Sequence, residues 1–115
     1  RLAARIDGAA VAVMSHSVIQ DRHWLQYLFE KAPAYIGQLG PRYRTEKILA
    51  DIQSYAQDPE QYEMGMAVLH YPIGLDLGGD SMEAIALSIL AEMTAVMNQR
   101  NAGMLSQKGV SIHAD

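Results

Sequence analysis

Two short apolar runs separated by one amphipathic stretch restrict this chain more than any other feature. Residues 8–15 (GAAVAVMS) are small and β-branched and pass into polar His16 and Ser17, as a buried parallel strand does at its carboxyl end. Residues 34–39 (AYIGQL) follow Pro33 and read as a second strand, in which Gly37 lets another backbone approach closely. Between them, Ser17 and Gln20 have capping-box spacing and predict a helix running to about Lys31. Ile19, Trp24, Leu25, Leu28 and Phe29 fall near one face of it, and Gln20, Asp21, Arg22 and Gln26 supply much of the other. Strand, helix and strand in this order imply parallel pairing through a right-handed crossover.

The rest of the chain continues the alternation. Gly40-Pro41 opens a helix to about Ala56, with Ile48, Leu49, Ile52 and Tyr55 at helical spacing. Residues 57–65 (QDPEQYEMG) are acidic and turn-rich, which predicts a surface loop or helical turn before Met66. Residues 71–80 (YPIGLDLGGD) predict a short extended segment ending in a tight loop. Asp80 or Ser81 then caps a long helix to about Asn98, whose buried stripe is Met82, Ile85, Ala86, Ile89, Leu90, Met93 and Met97. The expected architecture is α/β, a Rossmann-like parallel sheet with flanking helices over residues 1–100 and an irregular tail over 101–115.

Composition narrows the function. With 115 residues, 50% hydrophobic and 19% charged, the chain makes one domain or a large piece of one. It has no cysteine, which excludes disulfides, thiolate metal sites and a cysteine nucleophile from its own residues. Together with seven methionines this reads as a cytoplasmic chain. No apolar run approaches the roughly 20 residues of a membrane span, and the opening RLAARID has neither a signal-peptide stretch nor an initiating methionine. That opening reads as a cut through a longer protein. Net charge is −4, but residues 1–50 hold seven Lys/Arg against four Asp/Glu, and residues 51–115 hold two against nine. The total disfavours nucleic acid, while the first half keeps room for a local anion site.

Three segments at expected strand ends carry the chemistry: 14–17 (MSHS), 39–42 (LGPR) and 74–80 (GLDLGGD). Ligands of open parallel sheets bind beyond the carboxyl ends of the strands. His16 is of a residue type suited to donating to a ligand oxygen or to acting as an acid or base, and the plain alternative is a backbone cap. Arg42, Arg44 and Lys47 cluster at a helix amino terminus, where free amides favour an anion; the plain alternative is a solvated surface paired with Glu46. The GLDLGGD loop offers aspartates to a ribose, a pterin or a partner, although a turn plus a helix cap explains most of it. Trp24, Tyr35 and the methionine stripe read as core. His23 reads as surface, His70 as a residue beside the cleft, and His113 carries no signal. GxSxG, HExxH, a Walker loop and GxGxxG are all missing from the sequence.

Taken together, VMSHS with Gln20-Asp21, AYIGQLGPR, PIGLDLG and EAIALSILAE resemble, in order and spacing, the XdhC/CoxI family over residues 8–97. The stretch from GLDLG to ALSILAE is the most specific part. The resemblance implies the second portion of a Rossmann-type domain, which in that family follows an XdhC/CoxI domain and a glycine-rich turn. It also implies an accessory factor that is not itself a catalyst, binds molybdenum cofactor (molybdopterin) and delivers it to a xanthine dehydrogenase or carbon monoxide dehydrogenase type apoenzyme. Carried over by position, His16, Gly40, Arg42, Gly74, Asp76 and Gly78 occupy motif positions as cofactor-binding candidates, with no catalytic or metal-ligating residue among them. Met82 stands where the family commonly has proline, which weakens the helix start modestly.

An incomplete sheet exposes unpaired edges, so the chain is expected to pack against its own amino-terminal portion supplied separately, or against a second copy. The alternative function is an NAD(P)- or nucleotide-dependent enzyme, an oxidoreductase or nucleotidyltransferase, resting on the fold alone and needing a glycine-rich loop this chain lacks.

Overall fold

The computed structural model describes residues 6–109; the expected opening cut and the end of the tail lie outside them. The elements are β1 (Ala10–Val13), α1 (Val18–Phe29), β2 (Tyr35–Gln38), α2 (Arg42–Ser54), α3 (Pro59–Val68), β3 (Leu69–His70) and α4 (Met82–Met97), then a 3-10 turn at Leu105–Gln107. The strands lie in the order β1-β2-β3 and all run parallel. Ala10 to Val13 stand opposite Tyr35 to Gln38, and Ile36 opposite Leu69. This is the Rossmann-like arrangement of a parallel sheet with flanking helices that the alternation of runs requires.

Side chains alternate across a strand, and the two faces of the sheet build two cores. Val13, Ile36 and Leu69 join Leu25, Leu28 and Phe29 of α1 and Ile48, Leu49 and Ile52 of α2 in the larger one. Tyr35, Ile73 and Ile89 form the smaller, with Ala10, Ala12, Leu39, Met93 and Val96 against them. Among the described residues, α4 is the one helix on this second face. None of the helices formed by the described residues is long and apolar enough to cross a membrane.

Local chemistry sets the boundaries and corrects several expectations. Ser17 Oγ accepts the Gln20 amide at 3.3 Å and caps α1, but the Ser17 amide donates to Ser15 Oγ, not to Gln20. The buried stripe of α1 is Asp21, Leu25, Leu28 and Phe29. Asp21 is drawn inward, the helix is thereby rotated, and Ile19 (81% exposed) and Trp24 (42%) face outward instead of into the core. Pro41 is the cap of α2, one place earlier than a first helical residue, and Tyr55 is exposed at its far end.

The stretch expected as a surface loop or helical turn before Met66 is mostly α3, a helix of ten residues. Asp58 Oδ1 accepts the amides of Glu60 and Gln61 at 3.1 and 3.3 Å, and Pro59 takes the first helical place where no amide is needed. Gly65 lets α3 close on the Phe29 ring, whose atoms would meet an added Cβ at 2.5 Å. The extended segment expected over 71–80 is absent: β3 ends at His70, Tyr71-Pro72 is cis, and one further bond joins the Ile73 amide to Gln38 O at 3.0 Å. Ser81, not Asp80, caps α4 by accepting the Ala84 amide at 3.0 Å.

Candidate functional site at the carboxyl rim of the sheet

Because the three strands are parallel neighbours, the segments after them emerge along one rim. Residues 14–17 follow β1, residues 39–42 follow β2, and residues 71–80 follow β3. Two sets of contacts tie these segments together.

The first set is centred on Asp21, fully buried at the start of α1. Its Oδ1 accepts from Ser15 Oγ at 2.5 Å, and its Oδ2 from Gln38 Nε2 at 2.9 Å and Arg44 Nη2 at 3.3 Å. A buried carboxylate needs such partners to offset lost hydration. One side chain therefore fixes the end of β1, the end of β2 and the first turn of α2. Gln38 Oε1 and Arg44 Nε, both buried, have no protein partner, leaving one acceptor and one donor unmatched beneath the rim.

The second set lies above it. Pro41 provides no side-chain cap for α2; the Arg44 and Thr45 amides donate to Pro41 O at 3.1 and 3.3 Å, and the positive end of the helix dipole at Arg42 and Tyr43 has no capping side chain. Gly40, with φ +121°, makes the turn into it. The Arg42 guanidinium lies 5.0 Å from the centre of the Tyr71 ring, joining the β2 segment to the β3 segment by a cation–π contact. His16 is exposed at the same rim.

Gly74 belongs to a different neighbourhood. Its amide donates to Glu92 Oε1 at 2.9 Å, and the adjoining Leu75 amide donates to Ser88 O at 3.2 Å, so α4 holds the loop down. With φ +103° and Ser88 Oγ 2.5 Å from where a Cβ would stand, this position needs glycine. Glu92 Oε1 also accepts from Tyr35 Oη at 2.6 Å, and Oε2 lies 3.5 Å from His70 Nδ1. His70 stacks on Tyr35 with ring centres 4.7 Å apart, so it faces α4. Burial, then the hydrogen bond to Glu92, then the Glu92 charge push the Tyr35 phenol well above its ordinary value.

The structure thus brings His16, Gly40 and Arg42 to one rim and anchors Gly74 beside it. Asp76 and Gly78 lie on the exposed outer stretch of the third loop, where Gly78 (φ +83°) has open space around it. Sequence reasoning missed Asp21, Gln38, Ser88 and Glu92 as organisers. Asp21 looked like any solvent-facing helix residue; its one signal was the position four places after a capping serine, level with the strand end.

Comparison with known proteins agrees with this arrangement. The chain is 31% identical over 86 residues to the uncharacterized protein YqeB of Escherichia coli K12, covering 75% of this chain and 15% of that protein. It is 31% identical over 84 residues to a Bacillus subtilis 168 protein named as a probable xanthine dehydrogenase component, covering 73% of this chain and 22% of the relative. A crystal structure titled as a xanthine dehydrogenase from Bacillus halodurans matches with a TM-score of 0.63 and 27% identity, over 90% of this chain and 27% of that one. The chain therefore spans about a quarter or less of these proteins. The XdhC Rossmann domain model matches residues 1–93, and the chain belongs to that family.

Proposed function

We propose that this chain is the cofactor-handling part of a cytoplasmic accessory protein that binds molybdenum cofactor and passes it to a xanthine dehydrogenase type apoenzyme. Support comes from the family match, from the xanthine dehydrogenase names of two similar proteins, and above all from the open start of α2 beside Arg42. Molybdopterin is a pterin carrying a phosphate and a dithiolene that holds the metal. A first turn without a side-chain cap, its helix dipole and an exposed guanidinium suit the phosphate. Arg42 and the first turn of α2 would hold the group, with His16 beside them; the Asp21 network keeps that turn fixed relative to β1.

Binding without turnover is the expectation. Molybdopterin released from a denatured molybdoenzyme, titrated into the protein, gives stoichiometric binding that Arg42→Ala weakens about tenfold, the order of one lost charge-assisted contact. Absence of binding, together with full molybdoenzyme activity in cells lacking the protein, would defeat the reading. Protection against thermal unfolding by NAD or CTP instead would move the assignment to a nucleotide-dependent enzyme.

A further inference from the structure

Away from the rim, α1, α2 and α3 enclose a cleft of about 420 Å³. The rim lies at the starts of α1 and α2, so the last turns of both helices lie at the opposite end of the molecule. Those last turns and the opening of α3 wall the cleft: Phe29 and Glu30 close α1, Tyr55 closes α2, and Asp58 and Tyr62 begin α3. Phe29 is buried and meets the Tyr62 ring edge-on, with centres 5.7 Å apart. Tyr55 is 68% exposed and gives the cleft an aromatic lip. A volume of this order takes a small ligand or one long side chain.

The electrostatics of this cleft have one sign. A helix carries about half a negative charge at its carboxyl end. Two such ends meet here, and neither α1 nor α2 has a basic residue in its last turn. Glu30 adds a carboxylate at the end of α1, where the dipole disfavours one, and Asp58 adds a second. No lysine, arginine or histidine among the described residues lines the cleft. Two cations of the neighbouring sequence are held elsewhere: Arg22 Nε lies 2.7 Å from Asp51 Oδ2, and Lys31 Nζ lies 5.1 Å from the centre of the Tyr27 ring. The Arg22 guanidinium also stands 5.8 Å from the centre of the Tyr55 ring, so one guanidinium already rests on the aromatic lip.

We infer that this cleft binds a planar organic cation, the guanidinium of an arginine side chain presented by a partner protein. A guanidinium stacks its faces on rings and donates from its edge to carboxylates, and this cleft supplies both surroundings at once. Two carboxylates on exposed positions are too few for a calcium or magnesium cage. Tyr55, Glu30 and Asp58 are exposed, so a free small cation would stay half hydrated there. A partner's surface around its arginine closes the lip and excludes water, which strengthens the charged and the aromatic contacts. Beyond the cleft α3 carries exposed Glu60 and Glu63, so the surroundings favour a basic partner. The site lies away from Arg42 and requires no cofactor, so it stands apart from the cofactor reading.

The test titrates acetyl-Gly-Arg-Gly amide into the isotope-labelled 115-residue chain and follows amide chemical shifts. The same peptide with citrulline for arginine is the uncharged match, and agmatine is the free cation. Saturable changes are expected at residues 26–30 and 52–62, from the arginine peptide at least as tightly as from agmatine, and none from the citrulline peptide. Glu30→Gln combined with Asp58→Asn weakens binding about fivefold and Tyr55→Leu about threefold, the order of two exposed charge contacts and one cation–π contact. Asparagine preserves the cap of α3, and Glu46→Gln, exposed near the start of α2, leaves binding unchanged. No binding, equal binding of the citrulline peptide, indifference to these substitutions, or changes centred on residues 14–17 and 39–44 would overturn the inference. Binding of agmatine with none of the peptide would remove the protein partner and overturn it as well. Molybdopterin enters no arm, so failure here is distinct from failure of the cofactor reading.

Discussion

Tyr35 gives the fold a pH signature. Its phenol is buried and bonded to Glu92, so its folded pKa lies above the unfolded value near 10. The neutral form is the one folding favours, so this contribution is complete below about pH 10 and is lost as pH rises above it. Urea midpoints measured from pH 8 to 11.5 should fall steeply above about 10. Tyr35→Phe should lower the midpoint at pH 8 modestly, by roughly the 1 kcal/mol of one hydrogen bond, and flatten the alkaline loss. Asp21 makes a second residue-scale prediction. Asp21→Ala leaves Arg44 without its carboxylate partner and Gln38 Nε2 with Leu39 O as its remaining acceptor; because Arg44 is 25% exposed, the loss sits at the low end for a broken buried pair, about 3 kcal/mol by urea unfolding. Tyr35 was legible as core, but the role of Asp21 was not, since periodicity registers hydrophobicity and says nothing of a carboxylate drawn inward by Ser15, Gln38 and Arg44.

Among elements, β1, β2 and the Ser17 cap were the readable part, because small apolar runs and a capping hydroxyl act locally, whereas β3 lies at Leu69–His70, ahead of the 71–80 segment expected to be extended. Two helices departed from expectation for different reasons. The start of α3 was hidden in an acidic stretch whose Asp58-Pro59 pair is in fact a cap followed by a first helical proline. In α4 the seven-residue stripe buries only Ile89, while Met82 is 84% exposed; the helix is apolar nearly all round, so sequence could not choose its inner face. Its inner contacts are Ile89, Met93 and Val96 against the sheet, beside Ser88 and Glu92 gripping a loop. Gly65 tests the packing of α3 on α1. Alanine there gains the roughly 0.5–1 kcal/mol of helix preference over glycine but drives a methyl into the Phe29 ring, an overpacking cost of about 1–3 kcal/mol. A calorimetric Tm for Gly65→Ala should therefore fall by several degrees; a rise would show that α3 does not sit on Phe29.

For the molecule as a whole, parallel strands in the order β1-β2-β3 convert three separate sequence segments into one rim, and that much followed from the strand–helix–strand order. What did not follow was the division of labour: His16, Gly40 and Arg42 share the rim around α2, while Gly74 is clamped to α4 and Asp76 is exposed on the outer loop. The molecule measures 47 × 30 × 26 Å, elongated for its size, and among the described residues one face of the sheet is covered by a single helix. The measurement that bears most directly on the account is a map of amide chemical-shift changes on adding molybdopterin to the isotope-labelled chain. The predicted result is a contiguous set of changes at residues 14–17, 39–44 and 71–75, with the far ends of α1 and α2 silent. Changes concentrated at those far ends, around Phe29 and Tyr55, or no change at saturating cofactor, would contradict it.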